Sequence, residues 1–303
     1  MGPHFYNYLA EANVVCGMSA KTVEEAITEL AQKLEKSTAG VKSREIVHAV
    51  MERERIIPTV ISEGLAVPHA RIPGLRNLLV AFGTSMDGID FKMPSMPPVR
   101  VIILILTPKD NPSMHLQVLA ALGKDFQDPS LIDRLCKITK PEELIKLFSA
   151  SDSSIPEFLT ARDVMENGLV TLSESDTLGK TIETFALKSI SDIPVVDEQR
   201  DIRGIVSLED ILKLSLPEHL LWMNDLSPIL YFQPFAETLK SETETKIADF
   251  MRSDYVSVES SIPAIQLAKI FLMKNIRQIL VTSNSKLVGV VNLDSFIKKF
   301  FWA

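Results

Sequence analysis

The sequence predicts an α/β protein in two parts, an N-terminal domain of alternating strands and helices followed by an internally duplicated half. Three observations support this prediction: strand-length and helix-length apolar patterns alternate in the first half, residues 149–156 form a small polar stretch, and later motifs recur 86 residues apart. A chain of 303 residues can hold two or three separate cores. We therefore place the first domain at 1–149, a linker at 150–157 and the duplicated half at 158–303.

Composition excludes several classes of protein. A net charge of −7 leaves no basic surplus to neutralise nucleic-acid phosphates. Cys16 and Cys136 lie far apart in apolar contexts, which predicts buried reduced thiols rather than a disulfide framework or a metal site. The longest apolar run, 101–106, is too short to cross a bilayer, and the N terminus lacks a signal-peptide pattern. We expect a cytoplasmic protein with no membrane span.

The elements of the first domain follow from capping and periodicity. Ser19 is predicted to cap a helix that extends to Leu34, and a second helix is predicted at 43–54. Strands are then predicted at 64–67, 78–82 and 99–107. The last of these is apolar almost throughout, as expected for a strand buried on both faces.

A further helix begins near His115. Asn111 is its predicted N-cap and Pro112 its first residue, and apolar residues follow His115 at helical spacing. His115 therefore heads the predicted buried face of this helix. The domain ends with a helix near 141–148.

Two histidines carry the chemical signal of this domain. His69 follows Pro68 after an apolar run, and His115 lies 46 residues later. A neutral imidazole, available near pH 7 because its ordinary pKa is about 6.5, can accept a phosphoryl group. A second imidazole near a helix N-terminus can stabilise the charge of that group. The alternative is that His69 and His115 are packing residues without a chemical role. His4, His48 and His219 show no comparable arrangement, and we interpret them as surface or core-edge residues.

The first domain resembles the enzyme IIA domains of the fructose–mannitol class in the sugar phosphotransferase system, including their nitrogen-regulatory relatives. The matching segments are Arg53-Glu54, Thr59, the run from Gly64 to His69, Gly88-Ile89-Asp90-Phe91, Leu106-Thr107-Pro108 and His115-Leu116. The resemblance implies a mixed sheet flanked by helices. It also implies that His69 accepts phosphate from a small phosphocarrier protein, that His115 stabilises it, and that Arg53 lies in the site.

One segment departs from that family. Its members usually carry a Thr-Gly-x-Gly-x-Gly turn, whereas this chain has Val60, Ile61 and Ser62 before Gly64. Residues that tolerate positive φ are lost there. The loop beside the acceptor is therefore expected to change, which bears on its access to a donor.

The second half repeats one unit twice. Asp163-Val164-Met165 recurs as Asp249-Phe250-Met251, and Ile193-Pro194-Val195-Val196 recurs as Ile279-Leu280-Val281-Thr282. Each copy reads strand, helix, strand, strand, helix, which indicates a pseudo-symmetric pair. The predicted bounds are 158–214 and 245–303, joined by a segment at 215–244.

This pair resembles tandem CBS domains, or a Bateman module, which commonly bind adenine nucleotides. The family motif Gly-h-h-Ser/Thr-x-x-Asp, where h is apolar, matches Gly204 to Asp210. The resemblance implies an AMP, ADP or ATP site involving Gly204, Ser207, Asp210, Ile193 and Pro194. The alternative is that Ser207 and Asp210 only cap the following helix. Copy two has Asn292 and Ser295 at the Ser and Asp positions, so no site is assigned there.

Two functions therefore stand open. In the first, the chain is a regulatory phosphocarrier, not a turnover enzyme, that needs no cofactor for phosphotransfer and is modulated by the CBS pair. In the second, it is a nucleotide-sensing docking protein whose first domain is not phosphorylated. By analogy with other CBS pairs we expect a homodimer; the downstream regulatory target is not specified.

Overall fold

The computed structural model describes residues 3–56, 58–93, 96–109, 114–128, 130–151, 154–166, 168–188, 190–216, 220, 222–225, 227 and 234–301. The chain divides into two compact units. The first comprises Met1–Leu159 with Ile297–Ala303, and the second Thr160–Phe296. None of the helices in the described segments is both long and apolar enough for a bilayer crossing.

A six-stranded mixed sheet forms the centre of the first unit. Its strands are β1 (Val14–Val15), β2 (Val60–Ser62), β3 (Leu65–Ala66), β4 (His69–Ile72), β5 (Leu79–Ile89) and β6 (Val99–Pro108). The order is β1-β5-β6-β3-β2, with β4 also paired to β6. β6 is antiparallel to β5 and parallel to β3 and β4, so it is the central strand that joins both halves of the sheet.

Helices cover both faces of this sheet. The apolar side chains of α1 (Val23–Ser37) and α2 (Ser43–Ile56) pack with Ala70 and Leu104. Those of α3 (Met114–Asp125), α4 (Leu131–Lys137) and α5 (Pro141–Ser149) pack with Val67 and Ile105 on the opposite face. Short 3₁₀ helices lie at Phe5–Tyr8 and Glu11–Asn13. Alternate side chains of β6 pack into the cores on the two faces of the sheet, which explains why the sequence of β6 is apolar almost throughout.

The structure corrects one predicted cap and adds one helix. Thr22, not Ser19, caps α1, and Glu25 completes the capping box. The segment Leu131–Lys137 is helical although no helix was predicted there. The predicted cap residues Asn111 and Pro112 lie outside the described residues.

Residues near the predicted linker contact the N terminus. Ser154 forms a β-bridge with His4, and the Ile155 amide donates to the Pro3 carbonyl at 2.8 Å. The Ile155 side chain is buried against the first unit's core.

The second unit shows the duplicated pattern. Copy one contains α6 (Ala161–Val164), α7 (Leu178–Lys188), β7 (Asp192–Val196), β8 (Ile202–Ser207) and α8 (Leu208–Ser215). After α9 (Pro234–Lys240) and a 3₁₀ turn at Ile247–Asp249, copy two contains β9 (Ser257–Glu259), α10 (Ala264–Lys274), β10 (Gln278–Ser283), β11 (Lys286–Asn292) and α11 (Leu293–Phe301). The residues of α11 from Ile297 onwards belong to the first unit. In copy one the first strand is a single bridge between Leu172 and Val195. Within the predicted connecting segment, 217–219, 221, 226 and 228–233 lie outside the described residues.

Two glycines let the copies pack reciprocally. A Cβ on Gly204 would lie 2.7 Å from the Arg252 carbonyl oxygen. A Cβ on Gly289 would contact the Met165 side chain and lie 3.1 Å from the Glu166 carbonyl oxygen. Each glycine therefore leaves space for the segment that opens the other copy, which explains why both positions lack a side chain.

Candidate functional site

His69 lies just after an interruption in the strand pairing beside β6. β3 and β4 both pair with β6, and Val67-Pro68 separates them. The Pro68 carbonyl still accepts a hydrogen bond from the Ile105 amide at 2.9 Å, so the chain keeps its register through the interruption. The predicted strand ends at Val67, but the structure resumes it at His69 and continues it to Ile72.

His69 and His115 are brought together by the sheet and α3. His115 is the second residue of α3, and both side chains are buried, with exposures of 7% for His69 and 1% for His115. Their rings stack with centroids 4.7 Å apart and planes 12° apart. The structure thus places the two histidines in direct contact.

The protonation state of His69 follows from its surroundings. Burial, reinforced by the charges of Arg53 and Arg71, lowers its pKa to about 4, although the hydrogen bond to Val67 opposes the shift. Nδ1 lies 2.9 Å from the Val67 carbonyl oxygen, which can only accept, so a neutral ring carries its proton on Nδ1. Nε2 then holds the free lone pair; it is buried and has no hydrogen-bond partner among the described residues.

Arg53 and Glu54 lie in the last turn of α2, and the charge of Arg53 acts on His69. Burial lowers the pKa of the half-buried Arg53 guanidinium, and the charge of Glu54 opposes that shift. Glu54 is itself buried, which raises the pKa of its carboxyl group. Its carboxylate accepts hydrogen bonds from the Thr59 hydroxyl and, at 3.1 Å, from the Thr59 amide. This contact fixes the end of α2 to the segment that enters β2.

The loop that departs from the family pattern forms a hairpin whose register shifts between Val60 and Ser62. Val60–Ser62 is the strand β2, which pairs antiparallel with β3. Gly64 has φ +76°. The other residues of 58–64, all of which the structure describes, have no positive φ. Because residues 60–62 are extended, side chains there require no left-handed backbone.

Sequence reasoning missed Arg71. β4 places it on the same face as His69, since residues two apart in a strand share a face. The signal was present in the alternation of His69 and Arg71 with the apolar Ala70 and Ile72. The sequence predicts a strand that ends before His69, so it gives no reason to place Arg71 beside that ring.

The second predicted site lies in copy one of the second unit. Ser207 is the N-cap of α8, and its amide donates to the Asp210 carboxylate at 2.9 Å. Arg252 of copy two donates to the same carboxylate at 2.9 Å through Nε. Burial alone would raise the pKa of Asp210, but the hydrogen bonds from Ser207 and Arg252 outweigh it and lower the pKa. The motif residues Ser207 and Asp210 therefore cap α8, and Asp210 also binds Arg252 of the other copy.

A cavity of about 190 Å³ lies beside this pair, between the two copies. Its lining includes Arg252, Arg277, Tyr255, Asp192 and Ile205. Arg277 donates to both carboxylate oxygens of Glu209 at 2.7 Å, so the two cavity arginines are each paired with an acid from copy one.

The five residues of the predicted nucleotide site surround this cavity rather than line it. Gly204 precedes the lining residue Ile205, and Ile193 and Pro194 pair with Val206 and Ile205 across the strands β7 and β8. Asp210 reaches the cavity through Arg252. In copy two, Asn292 instead donates to Glu166 at 3.2 Å and accepts from Gln278 at 2.9 Å.

Comparison with known families matches both units. Residues 7–151 match the family "Phosphoenolpyruvate-dependent sugar phosphotransferase system, EIIA 2". Residues 161–217 and 247–301 each match the CBS domain family.

Individual relatives of the first unit each cover less than half of the chain. The mannitol-specific EIICBA component of the phosphotransferase system from Escherichia coli K12 is 31% identical over 144 residues, 46% of this chain and 22% of its own length. A nitrogen regulatory protein from Bradyrhizobium diazoefficiens is 26% identical over 127 residues, 42% of this chain and 82% of its own length. The solved structure of nitrogen regulatory protein IIA-Ntr from Neisseria meningitidis superposes with a TM-score of 0.44 and 24% identity, covering 47% of this chain and 97% of that one. The chain thus spans about a fifth of the length of the mannitol-specific relative.

Proposed function

Because the chain joins a phosphotransferase-system EIIA 2 domain to two CBS domains, we propose that it is a regulatory phosphocarrier. In this proposal His69 accepts a phosphoryl group from a small phosphocarrier protein, and the CBS pair modulates the reaction by binding an adenine nucleotide. The stacked contact between a neutral His69 and His115 is the observation that carries the first part. The downstream partner is a regulatory target rather than a sugar.

The local geometry supports Nε2 of His69 as the acceptor atom. The Nδ1–H bond to Val67 orients the ring and leaves the lone pair on Nε2. That lone pair attacks phosphorus while the bond between phosphorus and the donor breaks, and the donor's leaving atom takes the bonding electrons. The proton on Nδ1 stays in place, so the phosphorylated ring is cationic and its charge partly balances the added phosphoryl dianion.

The burial of Nε2 sets a requirement for transfer. With His69 only 7% exposed, the donor must approach closely and the side chains around Nε2 must move aside. A neutral acceptor lowers the desolvation cost of this arrangement, because a charged ring in the same place would be unfavourable.

Phosphoenolpyruvate, enzyme I and the small phosphocarrier provide the direct test. Intact mass spectrometry should show one acid-labile phosphoryl group on the full-length protein. His69→Gln should abolish the adduct, whereas His48→Gln, which alters an exposed histidine of α2, should retain it. An unlabelled wild-type protein, under conditions that label an established EIIA protein, would instead favour the non-phosphorylated docking function.

The nucleotide part of the proposal rests on the cavity between the CBS copies. Arg252 and Arg277 are cations suited to phosphate, and Asp210 matches the carboxylate that holds ribose in the family motif. Binding requires the arginines to exchange Asp210 and Glu209 for the ligand.

Thermal unfolding with AMP, ADP and ATP tests this part. We expect a rise in Tm that Asp210→Ala removes and Glu183→Ala, an exposed acid on α7, preserves. An equal shift in Asp210→Ala would show that the nucleotide does not use this site. Phosphorylation rates with and without the nucleotide then test the modulation itself.

A further inference from the structure

Arg71 lies beside the acceptor histidine on the same strand. In β4, His69 pairs with Ile105 and Arg71 pairs with Thr107 of the parallel strand β6. Paired residues of parallel strands point to the same side, so the four side chains share one face. Ala70 packs in the opposite core, with α1 and α2, which confirms the alternation.

Among the described residues, no ion pair compensates the charge of Arg71. Burial lowers the pKa of its guanidinium, and no acid among the described residues opposes that effect. Its Nε is buried without an acceptor in the described part of the chain. One terminal nitrogen donates to the Phe300 carbonyl at 3.4 Å, which is long for a hydrogen bond. A partly desolvated cation with such weak partners is stabilised when an anion binds.

We propose that Arg71 is a catalytic residue that binds the oxygens of the phosphoryl group on His69, and that the buried Thr107 hydroxyl donates to the same group. This inference rests on the proposed phosphorylation of His69. It assigns a ligand role to two residues in addition to His115 and Arg53.

The same positive charge has two effects that favour transfer. Before transfer it disfavours a proton on His69, so Nε2 stays nucleophilic. During transfer it stabilises the negative charge spread over the phosphoryl oxygens. No proton moves to or from Arg71, and its role is to bind and orient the group that is transferred.

Variants of the full-length protein separate this role from packing. We expect Arg71→Gln to slow phosphorylation of His69 by about 100-fold, the usual cost of losing one charge-stabilising donor. Arg71→Lys should recover part of the rate, because a point charge is restored without the bidentate geometry. Arg76→Gln makes the same change at an exposed position and should leave the rate within about twofold of wild type.

Thr107 has its own conservative pair. Thr107→Val keeps the size and removes the hydroxyl, so it should slow transfer by about 10-fold, whereas Thr107→Ser should retain most of the rate. Thr107 variants also test the proposal if Arg71→Gln fails to fold, a condition that circular dichroism detects.

The outcomes distinguish this inference from the proposed function. If wild-type protein accepts no phosphoryl group, the proposed function fails first. If wild type is phosphorylated and folded Arg71→Gln transfers at the rate of Arg76→Gln, the role of Arg71 is refuted while phosphorylation stands. Equal rates in Thr107→Val and Thr107→Ser would refute the role of Thr107 as a donor and would leave the role of Arg71 standing.

Discussion

Lowering the pH tests the electrostatics of His69 directly. In the folded protein its pKa is about 4, against about 6.5 in an unfolded chain. Between these values the unfolded state binds a proton that the folded state does not. The free energy of unfolding therefore falls as the pH falls from 6.5 towards 4, and the loss attributable to His69 is complete below that window.

The magnitude follows from the two pKa values. The full shift corresponds to about 3 kcal/mol, and about 2 kcal/mol of that should be lost at pH 5 relative to pH 8. His69 is buried, so solvent screening reduces this value little. Other groups titrate in the same range, and the effect must therefore be measured as a difference between wild type and a variant that cannot titrate.

His69→Asn is suited to that comparison, since its amide can still donate to the Val67 carbonyl. Hydrogen exchange of the slowest amides in β6 reports the unfolding of the first unit at each pH. Wild type should lose about 2 kcal/mol more than the variant between pH 8 and pH 5. An NMR titration of the His69 ring should show a pKa near 4. A measured pKa at or above 6, or the same pH dependence in both proteins, would refute the reasoning.

Three further changes test other parts of the structure. Glu54→Ala should lower the stability of the first unit by about 2 kcal/mol and slow phosphorylation, because it leaves the Thr59 amide without its acceptor; urea unfolding and the transfer assay measure both effects. Gly64→Ala should cost about 1–2 kcal/mol in unfolding free energy, since φ is +76° and a Cβ would lie 3.2 Å from Ile132; Gly123→Ala, where a Cβ meets open space, is the control. Light scattering should show a dimer that Leu212→Glu converts to monomers, because Leu208 and Leu212 form an exposed apolar row on α8; an unchanged mass would contradict this interface.

The pairing of His69 with His115 is implied by the family resemblance, and local signals in the sequence indicate where each residue lies. Helical spacing places His115 on the buried face of α3, and the apolar run before Pro68 predicts a buried strand next to His69. Arg71 and the Glu54–Thr59 contact could not be found in the same way. The first depends on β4 resuming its pairing with β6 after Pro68, and the second on where α2 ends relative to β2. Both are consequences of tertiary pairing, which periodicity does not encode.

The same limit applies to the second unit. The duplication and the motif from Gly204 to Asp210 are visible in sequence, and they match the CBS family. That Asp210 binds Arg252 is not visible, because the two residues belong to different copies and meet only when the copies pack. A motif residue can therefore satisfy its family pattern and still be engaged by another part of the same chain.

The arginines of the two units therefore differ in what an anion must displace in order to bind them. Arg71 has no acidic partner among the described residues. Its positive charge can therefore stabilise a phosphoryl group at His69 without the displacement of a carboxylate. Arg252 and Arg277 are paired with Asp210 and Glu209, and a nucleotide must first break those contacts. The exposed pair with Glu209 costs up to about 1 kcal/mol to separate. Freeing the buried Asp210 costs more unless ribose hydroxyls replace the hydrogen bond from Arg252. We therefore expect a ligand without ribose hydroxyls, such as inorganic pyrophosphate, to stabilise the second unit less than ADP does, and equal stabilisation by the two would show that Asp210 does not hold the sugar.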